Sequence, residues 1–194
     1  MSRGRSGERR QQILETLARL LQDTPGQPIR TAALAREAGV SEAALYRHFP
    51  GKTQMFEELI GFAEDSLFSR VRKIVDDNAP VADKVNGILT LVLGFADHNP
   101  GISRVLSGDA LVGETEQLRK RVAQLFDRLQ TELRQLLRDA GLRGELRGGA
   151  NDIAGLLIRF VDGAIAGFVR SGFRDSPLQG WEEQWALFRA ALFA

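Results

Sequence analysis

Residues Thr31–Phe49 read TAALAREAGVSEAALYRHF. Two short helix-forming runs flank Ala38-Gly39-Val40-Ser41. Gly39 ends the first run and supplies a left-handed turn residue, and Ser41 caps the second. Thr31 is expected to cap the first. Ala35 is small enough to let the two helices cross closely. Leu34, Val40 and Leu45 are placed to hold the pair against a preceding helix. This is a helix-turn-helix pattern. The second helix ends before Pro50-Gly51 and offers Glu42, Ala43, Ala44, Tyr46, Arg47 and His48 outward. Small residues at its start let it enter a major groove. Tyr46, Arg47, His48 and Lys52 can donate hydrogen bonds to phosphates, and Arg47 can reach a guanine edge. Similar turns also occur in helical proteins that bind no nucleic acid, so charge has to decide.

The chain has 194 residues, 43% hydrophobic and 26% charged, with a formal net charge of +1. That length fits one mid-sized domain or two small ones, with enough apolar content to bury a core. The small net charge hides a split. Residues 1–52 hold nine basic and five acidic side chains, for +4, and the remainder carries −3. The basic end suits a polyanion. Arg3, Arg5, Arg9 and Arg10 are expected to form an arm against the DNA backbone or minor groove.

Several function classes fall away. There is no cysteine and there are only two histidines. Thiolate chemistry, disulfides and a His-rich metal site are therefore excluded. No apolar run follows the basic N-terminus, so no signal peptide is expected. The most apolar stretch, 153–169, contains Arg159 and Asp162 and is too short and too charged to span a bilayer. A cytoplasmic protein without metal or cofactor is the expectation. No catalytic constellation stands out. Glu57-Glu58, Glu64-Asp65, Asp76-Asp77 and Glu182-Glu183 are neighbours on helices and point about 100° apart. The glycines of 141–149 follow a helix and lack a Gly-Lys-Ser/Thr ending, so they are no phosphate loop.

Outward from the motif, helical periodicity continues and strand alternation is nowhere sustained. A first helix carries Ile13, Leu14, Leu17, Leu20 and Leu21 and ends before Pro25-Gly26. A long helix follows from about 52 to 77. An apolar one runs from about 81 to 96, and a short one from 102 to 106. A charged helix covers about 114–140. The run 141–149 reads as a mobile link. Helices at about 152–171 and 178–193 complete an all-α chain of about nine helices. Trp181 and Trp185 share a face of the last and should anchor it or a dimer seam. The small residues of 153–169 allow close helix approach, either in a dimer seam or in an ordinary core.

SEAALYRHFPGKTQMF resembles the second half of a TetR-type DNA-binding domain, a likeness that covers residues 8 to about 67. The resemblance implies a reading unit over 8–67 and a dimerising, partner-binding body over 68–194. It implies phosphate contacts from Tyr46, His48 and Lys52. It also places Thr31, Ser41, Ala43, Ala44 and Arg47 at or near DNA. A dimer through the last two helices would prefer palindromic sites.

The body points to one branch of that family. GFADHNPGISRVLSGDAL, RVAQLFDRLQTELRQLLR and RFVDGAIAGFVRSGFR resemble the nucleoid occlusion factors. That resemblance implies a DNA-bound dimer, associated with the nucleoid, that engages the tubulin-like division protein FtsZ and blocks Z-ring assembly over the nucleoid. Helix geometry adds a residue-level argument. Phe56, Leu59, Ile60, Ala63, Leu67 and Ile74 share one direction of the long helix, and Phe62 lies about 130° from it. Ser69 lies on the Phe62 flank and Arg70 at its border. An apolar anchor beside polar and basic donors suits an acidic, partly apolar peptide. Packing of Phe62 against a second helix is the alternative. The resemblance places the FtsZ tail between the fourth and fifth helices, near Phe62, Arg70, Leu91, Gly94, His98 and Asn99. His98 departs from the arginine expected there, and a neutral histidine attracts an acidic tail less. A ligand-responsive TetR-type repressor is the alternative function. Bulky Phe56, Leu59, Ile60, Leu67, Leu89, Val92 and Phe95 leave few polar groups to orient a ligand.

Overall fold

The computed structural model describes residues 2–194, with side chains described from residue 7 onward. Among these residues there are nine α-helices, and the only β pairing is an isolated bridge. They are α1 (Ser2–Asp23), α2 (Thr31–Glu37), α3 (Glu42–His48), α4 (Lys52–Asp76) and α5 (Val81–His98). Then come α6 (Pro100–Leu106), α7 (Glu116–Leu142), α8 (Ala150–Arg170) and α9 (Trp181–Leu192), with a 3-10 turn at Asp109–Leu111 before α7.

The apolar stripes point where their periodicity requires. Ile13, Leu17 and Leu21 of α1 are fully buried, as are Leu34, Leu45 and Phe49 around the helix-turn-helix. Burying each such side chain stabilises the fold by about 1.5–3 kcal/mol. Gly39 has φ +65, the left-handed turn that a Cβ disfavours. In the body, α4 packs on α5 and α7 lies along α8. Leu125, Leu129, Leu133 and Leu137 close the seam of α7, each at most 1% exposed.

The two halves meet where α6 crosses α1. Gly101 is buried there, and a Cβ at this position would overlap the Ala18 carbonyl oxygen. Arg104 is only 1% exposed. Its guanidinium donates to the carbonyls of Leu21, Thr24 and Gln27 and pairs with Asp109 at 2.5 Å. One buried cation thus satisfies the C-terminal end of α1 and the loop leading to α2.

Three expectations need correction. The N-terminal arm is helical, because α1 begins at Ser2; the side chains of Arg3 and Arg5 lie outside the described residues. Thr31 is the first residue of α2 rather than its cap, and Arg30 takes the cap position without a side-chain hydrogen bond. The glycine run before α8 is tied down. Arg147 donates from its backbone to the Leu192 carbonyl and from Nε to Phe193, while Ala194 donates to Glu145. The chain terminus supplies the partners that this loop lacks locally.

The tryptophans anchor α9 to α5. Both are buried, and Trp181 Nε1 donates to Asn86 at 3.1 Å and to Thr90 at 2.8 Å. Phe160, Phe188 and Trp185 pack around Trp181.

Candidate nucleic-acid interface and partner groove

Ser41 accepts a hydrogen bond from the Ala44 amide at 3.1 Å and caps α3. Leu45 points inward. The helix period then turns Glu42, Ala43, Tyr46 and Arg47 to solvent, with Ala44 and His48 half-exposed. Tyr46 is 46% exposed. Its hydroxyl lies 3.5 Å from the Thr31 hydroxyl, itself 3.5 Å from Glu42, the outer limit of hydrogen bonding. Thr31, at the start of α2, thus lies between Glu42 and Tyr46 of α3. Arg9 is exposed and, among the described residues, bonds Gln12 of its own helix.

Two expected DNA contacts have protein partners. Arg10 pairs with Glu58, donates to the His48 carbonyl, and stacks 4.2 Å from the centre of the Phe49 ring. It ties α1 to α4 and neutralises the C-terminal end of α3. Lys52 opens α4, pairs with Glu114 and donates to the Ile29 carbonyl. Local sequence does not mark Glu58 or Glu114 as partners of these cations, nor Arg104 as buried. Arg10 and Glu58 are 48 residues apart, so no local spacing signals the pair.

The second surface lies between α4 and α5. Phe62 is 49% exposed, and its ring centre is 6.3 Å from that of Phe95. Phe62 therefore packs on its neighbour with one face and shows the other to solvent. Ser69 and Arg70 are exposed on the same helix. Leu91 and Gly94 are half-buried on α5, and Gly94 faces Leu178. His98 is exposed, with Nδ1 2.7 Å from the Gly94 carbonyl, and Asn99 donates to the Phe95 carbonyl at 2.8 Å. The Nδ1 atom carries the hydrogen in that contact, which leaves Nε2 for a partner. Phe62 and Asn99 also border a recess of about 370 Å³, whose far wall is Leu14, Glu15 and Ala18 of α1.

Fold and site together define a regulator of the TetR class: a short-helix DNA reader on a helical body. Residues 13–59 match the bacterial regulatory proteins of the tetR family, and residues 81–193 match the tetracyclin repressor-like, SlmA-like C-terminal domain. The chain is 50% identical over 185 residues to nucleoid occlusion factor SlmA of Marinomonas sp. (strain MWYL1), covering 94% of each chain. It is 52% identical to SlmA of Alteromonas mediterranea, covering 93% of this chain and 94% of that one. The fold is similar to that of the MbdR regulator from Azoarcus sp. CIB, with a TM-score of 0.79 at 18% identity over 95% and 98% of the two chains. The chain belongs to the nucleoid occlusion factor SlmA family.

Proposed function

We propose that the protein binds palindromic chromosomal DNA as a homodimer and, while bound, engages FtsZ so that Z-rings do not assemble over the nucleoid. Residues 8–67 read the DNA, and residues 68–194 form the dimerising, partner-binding body. Ala43, Ala44 and Arg47 enter the major groove, while Thr31, Ser41, Tyr46, His48 and Lys52 contact its phosphates and Arg9 follows the backbone. Arg10 supports the reading helix from behind. The FtsZ tail docks between α4 and α5, on Phe62 and Leu91, with Ser69, Arg70, His98 and Asn99 around it. The observation that carries the partner assignment is the half-exposed Phe62, on the same helix as the exposed Arg70.

The dimer forms through α8 and α9. Leu156 and Leu187 are exposed there, Leu187 by 72%, among exposed Gly163, Ala186, Ala190 and Ala191. Large apolar side chains among small ones suit a close helix seam. No described helix is long and apolar enough to cross a membrane. Cytoplasmic, nucleoid-associated action follows from the proposed partners.

FtsZ assembly tests the proposal. Polymer sedimentation should fall when protein and a palindromic duplex are added together. Phe62→Ala with Arg70→Asp should restore sedimentation while DNA affinity stays unchanged. Undiminished sedimentation with the unaltered protein would refute it.

A further inference from the structure

Glu114 lies just before α7, and its carboxylate holds the Lys52 ammonium. The Lys52 side chain is 25% exposed and that of Glu114 only 13%. The pair is therefore shielded from water and salt more than an ordinary surface ion pair. Glu114 and the Ile29 carbonyl already take two of the three ammonium hydrogens, and a phosphate approaching the third meets the Glu114 carboxylate as a like charge. The two anions compete for it.

The surroundings allow the exchange to stay local. Glu114 ends a segment whose glycines, Gly108 and Gly113, both have φ +80. Below it, α4 and α7 are joined by separate contacts. Gln117 donates to Glu57 at 2.7 Å, Arg121 to Glu64 at 2.5 Å, and Arg128 stacks 3.8 Å from the centre of the Phe68 ring. The hydrogen bond to Glu64 raises the Arg121 pKa above its ordinary value. None of these three contacts involves Lys52 or Glu114.

We propose that Glu114 is a positioning residue that gates the DNA contact of Lys52, holding the ammonium in the free protein and yielding it to a phosphate on binding. The gate rests on the assignment of Lys52 to a phosphate. Removing the carboxylate then has opposite effects on two quantities. The fold loses an ion pair, while DNA no longer has to displace one.

The test is anisotropy titration of the full-length protein with a fluorescein-labelled mixed-sequence duplex, because phosphate contacts act across sequences. Glu114→Gln should lower the melting temperature slightly yet tighten DNA binding roughly threefold to tenfold, as expected for freeing one modest ion pair per protomer. In a Lys52→Ala background the same substitution should leave affinity unchanged. Glu116→Gln, a neighbouring exposed acid, controls for long-range charge and should have less effect. The gate is overturned if Glu114→Gln leaves DNA binding the same or weaker, or if the gain persists without Lys52. If Lys52→Ala alone leaves affinity and salt dependence intact, the phosphate assignment itself fails, and the gate fails with it.

Discussion

Arg10 and Lys52 are both expected at DNA, and in the fold each also meets a protein carboxylate. Arg10 serves Glu58, the end of α3 and the Phe49 ring at once. Arg10→Ala should therefore lower stability by about 1–2 kcal/mol, seen by urea denaturation. Lys52→Ala should weaken DNA binding on every sequence and flatten its salt dependence by about one ion per protomer. Tyr46→Phe should also weaken binding but leave the salt slope unchanged, since the tyrosine carries no charge. At the partner groove, His98→Arg should tighten binding of an acidic FtsZ tail a few-fold at low salt, with the gain fading as salt is added. The outward residues of α3 were legible because one helical period and one cap fix them. The partners of Arg10 and Lys52 were not, because tertiary packing alone brings Glu58 and Glu114 to them.

Among the elements, α6 is short, and the molecule depends on it. Gly101→Ala would force α6 away from the Ala18 carbonyl, costing about 1–3 kcal/mol and lowering the melting temperature by several degrees. Arg104→Met would leave the carbonyls of Leu21, Thr24 and Gln27 without their shared donor, at a cost of about 3 kcal/mol. Either change should loosen the DNA-reading end relative to the body, measurable as faster amide exchange in α1. The helices themselves were readable from apolar spacing and Pro-Gly breaks. Local spacing did not show that Arg104 is a buried hub, since one of its acceptors, Leu21, lies 83 residues away. The glycine run before α8 misled for a similar reason. Its composition suggests mobility, while the chain terminus that holds it comes 46 residues later.

At the level of the whole molecule, the proposed function needs two copies of the chain and two ligands. Leu187→Glu should give a folded monomer by sedimentation, with binding to a palindrome reduced to that of a single reading head. Family membership rests on nearly the whole chain, and the DNA-reading end was legible from a short run of residues. The proposed partner groove rests in the sequence on one phenylalanine out of register with its helix, because a docking surface leaves weaker periodic traces than a core. The central claim joins both ends of the molecule: a DNA-bound dimer holds FtsZ through Phe62 and Arg70. The most direct measurement is fluorescence anisotropy of a labelled FtsZ C-terminal tail peptide, titrated with the protein with and without palindromic DNA. The account predicts saturable binding in the presence of DNA that Phe62→Ala with Arg70→Asp abolishes. Absence of binding up to high micromolar protein in both conditions, or binding indifferent to those substitutions, would contradict it.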